Sequence, residues 1–375
     1  MQFSEIPGLF EVKSTLMNSV KNNHVAHAQL FAGVEGSAAL PLALAYATYI
    51  NCLEKVENDS CGQCSSCSKY NKLIHPDLHV IFPVATNKTI AKDPTSDLFF
   101  KDWREAFLSN PFLSFNDWME LIDAENKQLR IAVEESRNVV KKISMKAFEA
   151  EYKVVIIWLP ETMGSEGANA LLKSLEEPPA KTLFLLVTAK QERLLTTIIS
   201  RTQRVQVRLF NDTEIKGYLL DKKGISEAQA KRVTYLADGN IQKAIQLLSE
   251  EDHDYESKIR DWFRACYSSK LQDMIRMSEE FAGLPRELQK SLLQYGLGIF
   301  RDSLMYKEVG TDLLRVDELS QDDMVQKFSN VIDFTKVMSL SKALNEAHAE
   351  IERNINSKMV FMDTSFQMNK IFNKK

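Results

Sequence analysis

Three runs of apolar, largely β-branched residues constrain the fold of this chain more than any other feature. They are LHVIFP (78–83), YKVVIIWL (152–159) and TLFLLVTA (182–189). None of them alternates cleanly between apolar and polar residues, which is the pattern of strands buried on both faces of a parallel sheet. Segments with helical periodicity separate them, and a shorter strand-like segment, HAQLF (27–31), precedes them. The sequence therefore predicts an α/β domain built on a parallel sheet.

The character of the sequence changes after about Phe210. The rest of the chain has no comparable strand-like runs and follows helical periodicity. Gly224 and Gly239 each follow a predicted helix and are expected to cap its end. We therefore predict three domains. They are an α/β domain over residues 1–209, a small helical lid domain over 210–251 and a helical carboxyl-terminal domain over 252–375.

Residues 84–126, here called the insertion, interrupt the α/β pattern and are rich in aromatic residues. The seven rings are Phe99, Phe100, Trp103, Phe107, Phe112, Phe115 and Trp118. Buried aromatic residues usually pack locally, so we expect a subdomain whose rings fill its own small core. An exposed docking surface is the alternative. Acidic residues outnumber basic ones in this stretch, which makes stacking on nucleic-acid bases the least favoured role.

Four of the five cysteines fall in one short stretch, the module of residues 52–67. They are Cys52, Cys61, Cys64 and Cys67. Two overlapping C-x-x-C steps bring three thiolates around one tight loop, and Cys52 would join them from the end of the preceding helix. Four thiolates form a closed tetrahedral zinc site with no position for a catalytic water, so its role would be structural. Free thiols and an iron–sulfur cluster are the alternatives.

Composition excludes several classes of function. Lys and Arg number 47 against 51 Asp and Glu, and the net charge of −4 argues against a chain that coats nucleic acid or anionic membranes by itself. A zinc-based DNA-binding module is therefore a weak alternative.

The start of the sequence lacks the pattern of a signal peptide, and the apolar runs are far shorter than the roughly 20 residues that span a bilayer. We expect a cytoplasmic protein with no membrane contact.

The segment GVEGSAAL has the place of a phosphate-binding loop but lacks its working groups. It begins at Gly33, contains Gly36, follows the first strand and opens a helix, where a P-loop reads G-x-x-x-x-G-K-[ST]. Ala38 replaces the last glycine, Ala39 the lysine and Leu40 the hydroxyl residue. No side-chain charge remains to hold the β- and γ-phosphates, and Mg²⁺ loses a ligand. We expect no productive ATP binding, although an ordinary strand-to-helix turn would look similar.

Two further segments bear on nucleotide chemistry. The strand YKVVIIWL ends in Trp158 and Leu159, where an ATPase carries the carboxylates that hold Mg²⁺ and polarise water. Glu161 follows a proline, and we interpret it as a surface glutamate that caps the next helix. Ser200 and Arg201 end an apolar helix just before a strand. Taken alone, Arg201 would be a solvated arginine favoured by the helix dipole.

Together these segments resemble the bacterial clamp-loader proteins of the AAA+ class, and above all the delta prime subunits of DNA polymerase III. The stretches that carry the resemblance are HAQLF, GVEGSAA, the four-cysteine cluster, HPDLHVI, IAVEESRNVVKKISMKAFEAEYKVVII, GANALLKSLEEPPAKTLFLLVTAKQERLLTTIISRTQ and LADGNIQKAIQLL. ANALLKSLEEPP (168–179) is the most specific of them and is shared with gamma/tau subunits. The resemblance covers nearly the whole chain and is weakest in the insertion and the last domain.

The resemblance implies an AAA+ α/β domain, a lid and an oligomerising collar, in a rigid subunit of a five-membered ring. With gamma/tau and delta subunits, such a ring opens the sliding clamp and places it on primed DNA during replication. Ser200 and Arg201 match two of three positions of a Ser-Arg-Cys motif, whose arginine reaches ATP bound by the neighbouring subunit. Thr202 stands where the family has cysteine, which leaves the guanidinium unaffected.

The resemblance also separates two kinds of subunit. Gamma/tau subunits keep the lysine and threonine of the phosphate loop, whereas delta prime subunits have usually lost them, as at Ala39 and Leu40. Thr188 lies where a working member senses the γ-phosphate, and we expect it to satisfy hydrogen bonds at a strand end instead. Gln242 and Lys243 lie where active members place a sensing arginine. We therefore expect a subunit without ATPase activity of its own, and the alternative is an ATP-hydrolysing gamma/tau-type subunit.

Overall fold

The computed structural model describes residues 1–124, 127–249, 255–309 and 324–373. The chain separates into two compact units, Met1–Leu247 and Leu248–Lys375. The first unit contains residues 210–247 of the predicted lid together with the predicted α/β domain. The division at 209/210 therefore stays a prediction, and the predicted boundary at 251/252 lies outside the described residues.

The first unit is built around a five-stranded sheet. Its strands are β1 (Ala28–Gly33), β2 (Leu78–Ile81), β3 (Lys153–Trp158), β4 (Thr182–Thr188) and β5 (Gln203–Val207). The strand order is β2-β3-β4-β1-β5, and each neighbouring pair is parallel. The predicted α/β fold with a parallel sheet, expected from the AAA+ resemblance, is confirmed.

Helices connect the strands of the first unit. They are α1 (Phe10–Lys21), α2 (Ala39–Ile50), α3 (Ser65–Asn71), α4 (Ser96–Ser109), α5 (Phe115–Leu121), α6 (Val133–Ser144), α7 (Ser165–Glu176) and α8 (Thr196–Ile199). Three more follow the last strand and are called the lid helices: α9 (Asp212–Lys223), α10 (Glu227–Ala237) and α11 (Ile241–Ser249). Gly224 is the C-cap of α9, as predicted, whereas α10 ends with Asp238 at the cap, one residue before Gly239.

Both faces of the sheet are covered, which explains the lack of alternation in its strands. On one face Val155, Phe184 and other strand residues form a core with apolar residues of α6 and α7. On the other face Phe31 of β1 contacts Tyr46 of α2, with ring centroids 6.4 Å apart. Every residue of β3, β4 and α2 is buried. Runs of apolar residues in these segments are therefore required by burial on all sides.

The second unit is helical in its described residues. Its helices are α12 (Tyr255–Tyr267), α13 (Leu271–Ala282), α14 (Arg286–Val309), α15 (Met324–Ser329), α16 (Phe334–Glu352) and α17 (Ser357–Asn373). Trp262 stacks on Phe361 at 4.3 Å and donates to the Ser365 hydroxyl at 2.8 Å. Cys266 is buried in this unit, as expected of a structural thiol. No helix of the described residues is both long enough and apolar enough to cross a bilayer.

Arg208 connects three segments of the first unit. Its Nε donates to Glu11 of α1 at 2.9 Å, and its Nη1 donates to Glu214 of α9 at 2.8 Å. Glu214 also accepts from the backbone amide of Leu9 at 3.0 Å. Burial would raise the pKa of the Glu214 carboxyl, but hydrogen bonds from Arg208, Asn211 and Leu9 outweigh it and lower the pKa to about 2. The first lid helix is thus tied to the amino-terminal segment through a carboxylate.

Replacing Glu214 with Gln should lower the free energy of unfolding near pH 7 by about 1–3 kcal/mol, the cost of losing charged hydrogen bonds. The folded-state pKa of about 2 lies below the ordinary value of 4.5, so this stabilisation is complete above pH 4.5 and lost as the pH falls towards 2. Urea unfolding across this pH range measures it. Glu151→Gln, in an exposed pair with Lys181, is the control and should cost less. An equal loss in both variants at all pH values would contradict the prediction.

Candidate functional site

The loop between β1 and α2 holds the residues that the sequence analysis compares with a phosphate-binding motif. Ala38, Ala39 and Leu40 are all buried. Ala38 is the N-cap of α2, and its methyl group cannot accept a hydrogen bond from the backbone amides of the first turn. Methyl and isobutyl groups therefore occupy the first turn of α2, where a phosphate loop presents an ammonium and a hydroxyl. These side chains help to bury the helix and have no group that could bind phosphate or Mg²⁺.

The connection between the second and third lid helices contacts this loop. Gly36 has φ +82°, and a Cβ built there would lie 2.0 Å from Cγ of Asn240. The backbone amide of Ile241 donates to the Gly36 carbonyl at 3.3 Å, and Nδ2 of Asn240 donates to the Glu35 carbonyl at 3.4 Å. Only glycine combines this backbone conformation with such a close approach. The connection between α10 and α11 is therefore packed directly on the loop.

The end of β3 carries apolar residues in place of the two carboxylates of an ATPase. Trp158 and Leu159 are both buried, and Leu159 adopts the left-handed conformation with φ 58°. Its backbone amide donates to Val187 of the neighbouring strand at 2.8 Å. The indole of Trp158 lies 6.4 Å from that of Trp103 in α4, which belongs to the insertion. This strand end is consequently a packing site.

Glu161 and Thr188 contact each other across the ends of β3 and β4. The Thr188 hydroxyl donates to Oε2 of Glu161 at 2.8 Å, and the Ala189 amide donates to Oε1 at 3.2 Å. The prediction of a surface glutamate that caps the next helix is wrong, because Glu161 is half-buried and α7 begins after Gly164. The prediction for Thr188 is confirmed, since its hydroxyl also accepts from the Lys190 amide at 3.1 Å. Burial raises the pKa of Glu161, although these hydrogen bonds oppose that shift.

Ser200 and Arg201 lie between α8 and β5 and are accessible to solvent. The Ser200 hydroxyl donates to the carbonyl of Thr197 at 3.2 Å. Arg201 donates from Nε to Oε1 of Glu176 at 2.6 Å and from Nη1 to the Thr197 carbonyl at 2.9 Å. Its side chain is 29% exposed, so the guanidinium lies along the surface of this unit. Arg201 is therefore ordered by its own chain and can be reached from outside.

Arg201 and the loop after β1 lie at opposite edges of the sheet. Strands β1 and β5 are parallel, with Gln29 beside Gln203 and Gly33 beside Val207. The loop follows Gly33 at the edge where strands end, here called the carboxyl edge. Arg201 precedes β5 at the edge where strands begin, the amino edge. Five strand residues at about 3.3 Å each separate the edges by about 17 Å, beyond the reach of a side chain. Arg201 cannot act on the loop of its own chain.

Most aromatic residues of the insertion are buried against the sheet. Trp103 stacks on Phe82, which follows β2, at 5.1 Å, and Trp118 packs edge-on against the same ring at 5.2 Å. The Trp118 indole donates to the Pro83 carbonyl at 2.8 Å. Five of the seven rings are buried and the other two, Phe100 and Phe115, are half-buried, but the buried rings share their core with the ends of β2 and β3. The insertion therefore does not form a separate core, and that prediction is wrong.

The insertion also contacts the lid helices. Asp117 of α5 accepts hydrogen bonds from Gln242 at 2.8 Å and from Gln246 at 3.2 Å, both in α11. Phe112 packs edge-on against Phe210 and Tyr218, with centroids 6.0 and 5.7 Å away. Gln242 occupies the position where the resemblance places a sensing arginine. Its amide is buried against a carboxylate of the same chain.

The four clustered cysteines meet at the junction of α2 and α3. Their sulfur atoms all lie within 4.8 Å of one another, and the Sγ atoms of Cys61 and Cys67 are 3.9 Å apart. Four sulfurs at about 2.3 Å from one zinc ion would be about 3.8 Å apart, so a slight contraction completes the tetrahedron. Gly62, with φ 73°, makes the tight turn between the first two cysteines of the loop. The geometry fits a closed Cys₄ site.

The backbone around the cluster favours thiolates. The amides of Cys61, Cys64 and Cys67 point at the preceding sulfurs in turn, at 3.2, 3.3 and 3.4 Å. Burial raises the pKa of the Cys52 and Cys67 thiols. At Cys64, hydrogen bonds from the Cys67 and Leu53 amides outweigh burial and lower the pKa to about 6. A divalent cation would offset the repulsion among the four thiolates.

Comparisons with known proteins show the family of the chain. A family model described as "DNA polymerase III, delta subunit" matches residues 10–211, more than half of the chain. The chain belongs to this family. DNA polymerase III subunit delta' of Bacillus subtilis (strain 168) is 24% identical to it, over 92% of this chain and 91% of the relative. DNA polymerase III subunit tau of the same organism is 22% identical, over 94% of this chain and 58% of the relative.

The share of the relative's sequence that this chain covers differs between the two relatives. The chain spans less than two thirds of the tau relative, but nearly all of the delta' relative. Among solved structures, a DNA polymerase III gamma subunit-related protein from Thermotoga maritima aligns with 96% of this chain and 99% of its own. Its sequence identity is 14% and the TM-score is 0.38.

The purified protein should contain one zinc ion per chain, measured by elemental analysis under reducing conditions. Cys64→Ser removes one ligand and should release the metal and lower the midpoint of thermal unfolding by several degrees. Cys266→Ser, which alters the buried cysteine outside the cluster, should keep a full equivalent of zinc. Wild-type protein that is purified with iron and sulfide, or without metal, would contradict the assignment.

The contact between the insertion and the lid should be measurable as a coupling energy. We expect the single variants Asp117→Ala and Gln242→Ala and the double variant to give a coupling of about 0.5–1.5 kcal/mol in the free energy of unfolding, the usual value of one hydrogen bond. Urea unfolding of all four proteins measures it. Strictly additive losses would show that the two side chains do not stabilise each other.

Proposed function

We propose that this chain is a delta-prime-type clamp-loader subunit that binds no ATP itself and supplies Arg201 to the ATP site of a neighbouring subunit. One observation carries the proposal. The loop at the carboxyl edge has lost the groups that hold phosphate, while the amino edge presents an ordered, accessible arginine.

The role of Arg201 follows from the chemistry of phosphoryl transfer. Negative charge is spread over the oxygens of the transferred group, and an arginine supplied by a second subunit stabilises it, at about 10³ to 10⁵ in rate. The separation of about 17 Å between the two edges rules out this role within one subunit. The arginine therefore requires a partner whose phosphate loop faces it, with Ser200 supporting the turn that carries it.

Three contacts support the absence of nucleotide from the chain's own loop. Ala39 and Leu40 are buried in the first turn of α2, and Asn240 of the lid is packed on Gly36. Gln242 donates to Asp117 of the insertion. Protein groups therefore contact one another around the loop, and at Gln242 an amide binds a carboxylate where the resemblance places a sensing arginine.

The partners follow from the family. We propose that the chain joins gamma/tau and delta subunits in a five-subunit ring, which loads the sliding clamp on primed DNA during replication. A net charge of −4 suits a subunit that contacts DNA only as part of such a complex. The second unit would provide the collar contacts, and reduced thiols in a zinc site suit a cytoplasmic location.

The role of the metal would be structural. Cys52, Cys61, Cys64 and Cys67 would hold one zinc ion with no open coordination position. Such an ion supplies folding energy and fixes the end of α2 against the start of α3. The ligands follow α2 in the chain, whereas the loop after β1 precedes it.

An ATP-hydrolysing gamma/tau-type subunit is the second candidate, since tau and gamma proteins are also among the relatives. We expect the isolated chain to show no Mg²⁺-dependent ATP binding at micromolar concentrations, because lysine and hydroxyl are replaced by Ala39 and Leu40. Isothermal titration calorimetry with ATP and Mg²⁺ tests this, with an active gamma/tau subunit as the positive control. Micromolar binding that chelation abolishes would favour the second candidate.

Arg201→Ala should leave folding and ring assembly unchanged and sharply reduce ATP hydrolysis at the interface that receives the arginine. The measurement is hydrolysis stimulated by clamp and primed DNA, in a complex reconstituted with gamma/tau and delta subunits. Arg204→Ala removes an exposed arginine of β5 and is the matched control, expected to hydrolyse ATP like the wild type. Wild-type hydrolysis by the Arg201 variant in an assembled ring would refute the assignment.

A further inference from the structure

We infer that Glu176 is a positioning residue for Arg201, which orients the guanidinium towards the neighbouring subunit; this inference rests on the arginine-finger role proposed above. Glu176 is the last residue of α7. Its carboxylate holds one edge of the guanidinium, and no other acidic side chain of the described residues forms an ion pair with Arg201.

The contacts fix the guanidinium from two directions. Nε and Nη2 of Arg201 both donate to Oε1 of Glu176, the first at 2.6 Å. Nη1 donates to the Thr197 carbonyl, one helical turn earlier in its own segment, at 2.9 Å. A planar group held through three of its nitrogens by two acceptors has little freedom to rotate. The side chain is therefore held in one orientation before any partner binds.

The same contacts leave donors for phosphate. A guanidinium has five N–H groups, and the bonds to Glu176 and Thr197 use three of them. One N–H remains on Nη1 and one on Nη2. Two N–H groups on adjacent nitrogens are the set that arginine uses to bind two oxygens of one phosphate. Glu176 can therefore stay in place while Arg201 acts.

The pair is poorly suited to a purely stabilising role. Arg201 and Glu176 are 29% and 48% exposed, and exposed ion pairs contribute little to stability. Glu176 also lies at the carboxyl-terminal end of a helix, where the dipole disfavours negative charge, and Glu177 follows it. The contact between Glu176 and Arg201 therefore serves to orient the arginine.

The backbone determines where this carboxylate lies. Pro178 and Pro179 prevent α7 from continuing past Glu177, so the helix must end at this point. The Leu175 carbonyl lies 2.9 Å from Nε2 of His27, which directly precedes β1. The end of α7 is thus fixed at the amino edge of the sheet, the edge that carries Arg201.

The test uses the ring reconstituted with gamma/tau and delta subunits, with hydrolysis stimulated by clamp and primed DNA. Glu176→Gln should lower kcat about tenfold and leave KM for ATP unchanged, because misplacing a catalytic group slows the chemical step without changing substrate binding. Glu177→Gln removes the same charge from the same helix end and should retain the wild-type kcat. Thermal unfolding of both variants should match that of the wild type.

A double variant separates positioning from a structural role. If Glu176 acts through Arg201, then Glu176→Gln should have no further effect on kcat in the Arg201→Ala background. Wild-type kcat for Glu176→Gln, or an additional loss in the double variant, would overturn the inference while Arg201→Ala still reduces hydrolysis. If Arg201→Ala itself hydrolyses ATP normally, the proposed function fails, and the inference fails with it for that separate reason.

Discussion

The parallel register of β1 between β4 and β5 is the constraint on which the rest of this molecule depends. It aligns the ends of β1, β3 and β4 at one edge of the sheet, and with them the loop at Gly36 and the pair of Glu161 and Thr188. It also aligns the starts of β1, β4 and β5 at the other edge, with the end of α7. Because a side chain at one edge cannot reach the other edge, the two edges can contact different partners.

The carboxyl edge is a site of internal packing. The first turn of α2 is apolar, Trp158 contacts an indole of the insertion, and Glu161 binds the end of the neighbouring strand. The insertion and the lid meet through Asp117 and Gln242. These contacts connect the sheet and the insertion to the lid helices directly. The amino edge differs, because its ordered arginine still presents donors to solvent.

Sequence patterns predicted the features that depend on local chemistry. Continuous apolar runs identified the parallel strands, and the spacing of the four cysteines identified the cluster, because burial on both faces and the convergence of four thiols on one point each impose a short-range pattern. Contacts between distant side chains were missed. Glu161 was misinterpreted because its partner Thr188 lies 27 residues away on the adjacent strand. Gln242 and Asp117 are 125 residues apart, and neither sequence position alone suggests the other.

The aromatic packing of the insertion has a consequence for spectroscopy. Three of the four tryptophans, Trp103, Trp118 and Trp158, lie in one ring cluster of the first unit, where the indoles of Trp103 and Trp158 are 6.4 Å apart. Rings at such distances couple electronically and exchange excitation energy. Trp262 alone reports on the second unit. The indole signals in intrinsic fluorescence and near-ultraviolet circular dichroism therefore come from two separate sources, one in each unit. In a Trp262→Phe variant, every indole signal would come from the sheet and its insertion.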